Sequence, residues 1–535
     1  MPELSHVMGP QEPVLRDITV GELLRIAADQ SPEQLAIIEG SKEPGERRQW
    51  TYAELYADSL LVARALLQKF KPGDRIAVMA PNIPEWILVQ FGSALSGMVL
   101  VTVNPAYQAE EIAYVLKQSR CAGIFVLPES RGNKMLEAVT QISDQCDALQ
   151  EIIRFDEWAD FIALAEGSDG DLPEVKPDDA VMIQYTSGTT GFPKGALLHH
   201  KGLVNNGAHT QERMGVKEGS VWITTMPLFH TGGCVCCVLG SVARKTTQVL
   251  VEIFEPGRVL ELVESYGANS MVGVPTMLIA MLEHPDFLER DISTLNRLCS
   301  GGSTVPAELV KRFEEELGTK FTIVFGQTES SPVSSMTRPD DTTDDKANTI
   351  GGPMPHVELK IIDPETGETV PYHTLGEYCA RGYLVMHGYY NMDDATAATI
   401  DEDGWLHTGD LCSMDERGYC KVEGRLKDMI IRGGENIYPR EIEDLLFEHP
   451  SVGEVAVIGL PDDRLGEVVG AFIRPAPNNT VNKDELFAYL REHLSPQKTP
   501  KHWFSLEEFP LTGSGKIQKF ALVKQWQAGD HSEIS

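Results

Sequence analysis

No uninterrupted apolar run among the 535 residues is long enough to cross a bilayer, so no membrane-spanning helix is expected. The start, Met-Pro-Glu-Leu-Ser-His, lacks a basic stretch followed by an apolar one. No secretory signal is read there, and a cytoplasmic protein is expected. Basic residues are scarce beside acidic ones: 46 Lys and Arg face 79 Asp and Glu, a formal net charge of −33. A surface of that sign repels nucleic acids and anionic membranes, which removes both from the expected partners. Anionic substrates would have to be met by lysines and arginines at particular places. Cysteine is sparse, nine in all, and mostly scattered as reduced thiols are, with no disulfide framework. One cluster breaks the scatter: Cys234, Cys236 and Cys237, with His230 just upstream. A zinc site needs further well-placed ligands and no second pair lies nearby. The apolar neighbours Val235, Val238 and Leu239 predict a packed helix instead. Internal repeats and low-complexity segments are missing as well, and nothing in the sequence decides an oligomeric state.

What is present is a long alternation of helix and strand signals. The length exceeds what one compact core holds, so at least two domains are expected. Thr19-Val-Gly-Glu22 and Thr51-Tyr-Ala-Glu54 fit the capping box, and each precedes a periodic apolar run. Short apolar runs at Arg75–Ala80, Gly123–Leu127, Ser220–Thr225, Ala268–Val272 and Lys320–Val324 read as buried strands. The pattern is α/β, with sheets covered by helices. From about 350 to 424 glycine-punctuated segments, Val357–Ile362 and Gly376–Gly382 among them, predict a small β region. After Gly424 a compact α+β unit is expected. It has a helix over Pro439–Glu448 with proline in its first turn, a strand over Glu454–Ile458, and a helix capped by Asn482. The boundary is drawn between 426 and 427, giving domains 1–426 and 427–535.

The densest chemical signal is Tyr185-Thr-Ser-Gly-Thr-Thr-Gly-Phe-Pro-Lys-Gly195. Glycines turn backbone N–H groups toward a ligand, hydroxyls donate to phosphate oxygens, and a lysine neutralises charge. It is not a Walker loop, because Lys194 follows Pro193 and precedes Gly195. Gly513-Ser-Gly-Lys-Ile517 fails the same test. Phe325-Gly-Gln-Thr-Glu-Ser330 follows an apolar strand and would project at its carboxyl end, where α/β sites form. Trp405-Leu-His-Thr-Gly-Asp410, Gly424-Arg-Leu-Lys-Asp428, Ser300-Gly-Gly-Ser303 and the lysine of Leu511–Lys519 complete the set.

Together, and in their order along the chain, these motifs resemble the adenylate-forming superfamily of acyl-CoA synthetases, peptide-synthetase adenylation domains and firefly luciferases. The resemblance covers nearly the whole chain. It implies a large N-terminal domain of sheets with a small β-barrel, and a small mobile C-terminal domain. It also implies that Thr186, Ser187, Gly188, Thr189, Thr190, Gly191 and Lys194 hold the phosphates of ATP, and that Gly301, Gly302 and Ser303 lie beside the adenine. Phe325 would stack on adenine where the family usually has Tyr, with Gly326 and Gln327 alongside, and Thr328 would contact the α-phosphate. Glu329 would hold Mg²⁺, a hard cation suited to carboxylate oxygen. Asp410 would accept from the ribose hydroxyls, with Arg425 on the ribose or phosphate. His230 would line the path to the substrate carboxylate, and Lys516 would offset the repulsion between carboxylate and α-phosphate. Lys427 corresponds to the family's hinge, and Gly433, Gly434 and Glu435 to its CoA tunnel.

The implied reaction has two steps, acid plus MgATP to acyl-AMP and pyrophosphate, then attack by the CoA thiol. Arg432–Pro439 and Pro461-Asp-Asp463 resemble the medium-chain fatty acyl-CoA ligases. The alternative readings are an adenylation enzyme that passes the acyl group to a carrier protein, or a ligase for aryl, branched or sulfur-containing acids. The small residues at 232–235, 273–277 and 302–305 permit an apolar acyl group without setting its length.

Overall fold

The computed structural model describes residues 3–168, 170–186, 193–303, 305–462, 464–477, 479–511 and 517–534. Local signals place the first helices. Thr19 and Thr51 each accept from the N3 backbone while Glu22 and Glu54 bond back, so both capping boxes form. The Tyr52–Lys69 helix packs on the Pro84–Leu95 helix at close range. A Cβ on Gly92 would lie 2.4 Å from Val62 Cγ1.

Two large sheets follow from the alternating pattern. The seven-stranded sheet has the order Gly388–Tyr389, Lys194–His199, Ala180–Thr186, Val99–Thr102, Arg75–Met79, Gly123–Val126 and Glu151–Arg154. The nine-stranded sheet runs Gly352–Pro353, Val333–Met336, Lys320–Gly326, Arg297–Gly301, Ser270–Val272, Val221–Thr224, Thr247–Leu250, Leu35–Glu39 and Gln49–Thr51. From Lys320–Gly326 to Leu35–Glu39 every neighbour is parallel. Their carboxyl ends therefore open on one edge, the place where α/β folds bind ligands.

The expected β region is a five-stranded sheet ordered His6–Met8, Val357–Ile362, Gly376–Gly382, Leu406–Met414 and Cys420–Arg425. The C-terminal segment forms another sheet, in which Val452–Asp462 pairs along its length with Gly466–Pro475. The 454–458 strand signal is thus the middle of an eleven-residue strand. The capped helix Lys483–His493 follows Asn482, whose side chain accepts from Glu485 N.

The chain divides into two compact units. One comprises Val7–Leu359 and Ala380–Leu406, and the other Met1–His6, Lys360–Cys379 and His407–Ser535. The second unit takes in residues on both sides of the 426/427 boundary drawn from the sequence, and within it the Pro439–Phe447 helix lies against the Cys420–Arg425 strand.

The cysteine cluster is helical, as expected, but the helix is a π-helix, Gly232–Leu239. All three thiols are buried and free. Glycines let this segment pack. A Cβ on Gly233 would sit 2.2 Å from Pro227 O, and one on Gly207 of the neighbouring His200–Arg213 helix 2.7 Å from Val235 O. No helix among the described residues is long and apolar enough to cross a membrane.

Candidate active site

In the larger unit the motif residues gather at the carboxyl edge of the nine-stranded sheet. Met226–His230 follows the Val221–Thr224 strand, Gly301–Ser303 ends the Arg297–Gly301 strand, and Gly326–Glu329 ends Lys320–Gly326. Two of the glycines have a structural reason of their own. A Cβ on Gly301 would lie 2.1 Å from Val324 O, and one on Gly326 1.9 Å from Pro332 O. Any side chain there would push the strands apart, whatever ligand lies beside them. Gly302 and Ser303 are exposed at the strand's end. Phe325 is half-buried, one residue before the edge.

Thr328–Ser330 forms a single 3-10 turn, closed by Ser330 Oγ, which accepts from Gln327 N at 3.2 Å, and by Ser330 N, which donates to Gln327 O at 2.9 Å. The strand after it is fixed by Asn206, a buried side chain that acts as a strand partner. Its Nδ2 donates to Val333 O at 2.8 Å and its Oδ1 accepts from Val333 N at 3.0 Å. Glu329 is thereby held at a buried position, 8 % exposed.

Thr186 ends one strand and Lys194 opens the next, and the two are paired in antiparallel register. The phosphate-loop calls Ser187, Gly188, Thr189, Thr190 and Gly191 lie outside the described residues, as does Lys516. What is described links the loop's cation to the turn's carboxylate. The short strand Gly388–Tyr389 pairs with the Lys194–His199 strand, Tyr389 opposite Ala196. Tyr389 Oη donates to Glu329 Oε1 at 2.6 Å, the length of a charge-assisted bond to carboxylate. Lys194 Nζ lies 4.7 Å from the centre of the same ring, a cation–π contact. Burial, and then the Glu329 charge, push the Tyr389 phenol well above its ordinary range, so it stays a proton donor. Sequence reasoning missed Tyr389. Its only local mark is an aromatic pair after Gly388.

His230 precedes the π-helix. Its Nδ1 accepts from Gly232 N at 3.1 Å, and its carbonyl accepts from Cys234 N. In the neutral imidazole that leaves the proton on Nε2.

In the second unit, Asp410 and Arg425 are register partners on adjacent strands, and Arg425 Nε donates to Asp410 Oδ1 at 2.8 Å. Asp410 is buried, whereas the Arg425 side chain is 42 % exposed. Lys427 is exposed in the 3-10 turn Leu426–Asp428. Gly433 and Gly434 are the two residues between strands Ile430–Arg432 and Glu435–Ile437, with φ of 60° and 88°. Positive φ at both positions is what a two-residue hairpin turn of the primed kind requires. This turn is a backbone reason for the glycine pair that the sequence reading did not include. Glu435 is exposed beside it.

One group of metal-type donors occurs among the described residues: Glu377, Cys379 and His407, with ligand atoms within 4.8 Å of one another. The sequence did not mark it, since its members come from two strands about thirty residues apart. His407 Nδ1 lies 3.0 Å from Glu377 Oε2 and 3.7 Å from Cys379 Sγ. The Cys379 thiol and the Glu377 carboxylate raise the imidazole to about 10, so it is a cation at neutral pH.

Residues 24–390 match the family model of the AMP-binding enzyme, and 441–516 that of the AMP-binding enzyme C-terminal domain. A Bacillus subtilis (strain 168) protein, YngI, named as an acyl-CoA synthetase, is 41 % identical over 94 % of this chain and 96 % of its own length. The mitochondrial medium-chain acyl-CoA ligase ACSF2 of Rattus norvegicus is 36 % identical over 98 % of this chain and 90 % of its own. Among solved structures, ATP-bound MatB from Rhodopseudomonas palustris superposes with a TM-score of 0.87 at 26 % identity, covering 95 % of this chain and 99 % of that one. The Mycobacterium tuberculosis fatty acyl CoA synthetase gives 0.77 at 28 % identity over 96 % and 99 %. With two family models over most of its length and relatives above 30 % identity from end to end, the chain belongs to the AMP-binding enzyme family, as an acyl-CoA synthetase.

Proposed function

We propose that this chain joins a medium-chain fatty acid to CoA through an acyl-AMP intermediate, and that it works in the cytoplasm. The observation that carries the catalytic part is the Lys194–Tyr389–Glu329 series. It holds a lysine ammonium 4.7 Å from the ring centre of one phenol and a buried carboxylate 2.6 Å from that phenol's hydroxyl. That pair suits a nucleotide triphosphate with its divalent cation, the ammonium for phosphate oxygen and the carboxylate for metal. Glu329 fits Mg²⁺, since it is a hard oxygen donor with one oxygen fixed by Tyr389. Mg²⁺ bound there would neutralise phosphate charge.

The chain's own residues then divide the work. Lys194 and Thr186 bind phosphate. Phe325 offers its ring, and Gly301, Gly302, Ser303, Gly326, Gln327 and Thr328 the surrounding edge, to the adenine and α-phosphate. His230, with its proton on Nε2, presents a donor to the acid's carboxylate. Asp410 takes the ribose hydroxyls, with Arg425 fixing one of its oxygens. Lys516 bridges the carboxylate and the α-phosphate in the first step. Movement of residues 427–535 about Lys427 then exchanges that lysine for the face carrying Gly433, Gly434 and Glu435, along which CoA enters. The proposed substrate class rests on the ACSF2 likeness, which extends over 98 % of the chain. Acyl-CoA formation with straight-chain acids of increasing length tests it. A maximum at medium length supports the reading, and a clear preference for aryl or very long acids overturns it.

A further inference from the structure

The segment His407–Asp410 is tied residue by residue to the strand beside it. His407 Nδ1 lies 3.0 Å from Glu377 Oε2. Thr408 Oγ1 donates to Tyr378 O at 2.6 Å. Gly409 N donates to Glu377 Oε1 at 2.9 Å. Asp410 N donates to Thr408 Oγ1 at 3.1 Å, closing the series. Both oxygens of one buried carboxylate, Glu377, are thus engaged by this strand segment. Within this strand Gly409 departs from extended backbone, with φ 71° in the left-handed region that glycine adopts readily, so its N–H is met by a side chain.

We propose that Glu377 and His407 are positioning residues, an ionic brace that fixes the 407–410 strand segment so that Asp410 meets both ribose hydroxyls of the nucleotide at once. The proposal rests on the assignment of Asp410 to the ribose. A carboxylate that accepts from two vicinal hydroxyls must be aimed more narrowly than one that accepts from a single hydroxyl, and preorganisation lowers the ordering cost of binding. Arg425 Nε donates to Asp410 Oδ1 at 2.8 Å, so the carboxylate is held from the neighbouring strand as well. Glu377 needs a cationic partner, because a buried carboxylate without one is costly. The half-buried His407 supplies it, and the Cys379 thiol at 3.7 Å borders the pair without replacing it.

The brace therefore predicts an effect on nucleotide sugar selection. In the full-length enzyme, KM for ATP and for 2′-deoxy-ATP is measured at saturating acid and CoA, alongside KM for the acid. Glu377→Ala and His407→Leu should raise KM for ATP roughly 10-fold, as loss of a charge-assisted bond does, and narrow the preference for ATP over deoxy-ATP. KM for the acid should stay within about 2-fold, the scatter expected of a site without shared partners. His407→Arg keeps the cation and should restore the preference. If Glu377→Ala fails to fold, the His407→Leu and His407→Arg pair decides alone. Asp410→Ala separates the two claims. If it leaves KM for ATP unchanged, the ribose assignment is wrong and the brace falls with it. If Asp410→Ala raises KM for ATP while Glu377→Ala and His407→Leu do not, only the brace is overturned. One zinc per chain in the purified enzyme, lost in Cys379→Ala, would also overturn it by making the three side chains a metal site.

Discussion

Removing a single oxygen tests how far the catalytic geometry depends on Tyr389. Tyr389→Phe keeps the ring, so the Lys194 contact and the packing of the Gly388–Tyr389 strand are preserved. Only the 2.6 Å hydrogen bond to Glu329 Oε1 is lost. Both partners are less than one-tenth exposed, so water does not readily replace the donor. A hydrogen bond to a charged group contributes about 1.5–3 kcal/mol, so kcat/KM for MgATP should fall roughly 10- to 100-fold. The loss belongs to the first half-reaction alone. The assay is pyrophosphate release at saturating acid with MgATP varied, run beside CoA-dependent consumption of presynthesised acyl-AMP. The account expects the first to fall and the second to stay at the parent's rate. Parental kcat/KM for MgATP in Tyr389→Phe would refute the reasoning, and an equal loss in both half-reactions would show that the phenol serves general stability instead.

Other consequences follow from the same structure. Lys516→Ala should abolish adenylation while CoA still consumes preformed acyl-AMP, and equal loss of both would sink the assignment of that lysine to the first step. Burial holds His199 down at about 4 and His200 at about 3, and each Nδ1 accepts a backbone N–H at 3.1 Å, from Gly202 and Val20. Their folded values lie below the ordinary 6.5, so their contribution is present above pH 6.5 and lost as pH falls toward 4 and 3. Tm should therefore drop over that window, less steeply in His200→Gln, and identical slopes in the two proteins would count against the burial argument. Gly434→Ala meets no neighbouring atom but must hold φ near 88°. It should cost about 1–2 kcal/mol in urea unfolding, and an unchanged midpoint would mean that the hairpin turn does not need glycine.

What the sequence disclosed and what it withheld divide along physical lines. The capping boxes at Thr19 and Thr51 were legible because a cap is settled within four residues. The place of Phe325–Ser330 at the end of a strand was legible because the apolar run before it sets where the strand stops. Tyr389 was not legible. It lies sixty residues from Glu329 in the chain, and only the pairing of its short strand with Lys194–His199 brings them together. Glu377 and His407 were missed for the same reason, being neighbours across strands and thirty residues apart in sequence. The Gly232–Leu239 segment was expected to be helical, but its π winding depends on packing, with Gly233 against Pro227 and Gly207 against Val235. The 426/427 boundary was drawn where the glycine-punctuated pattern ends. Within the second compact unit the Pro439–Phe447 helix packs on the Cys420–Arg425 strand, a contact that local composition does not encode.

The central claim is that the acid is activated on ATP before CoA takes part. Acid-dependent exchange of labelled pyrophosphate into ATP, measured without CoA, tests it most directly. The account predicts rapid exchange with a medium-chain fatty acid, dependent on Mg²⁺ and lost in Glu329→Gln. Exchange that requires CoA, or none with any acid while acyl-CoA still forms, would contradict it.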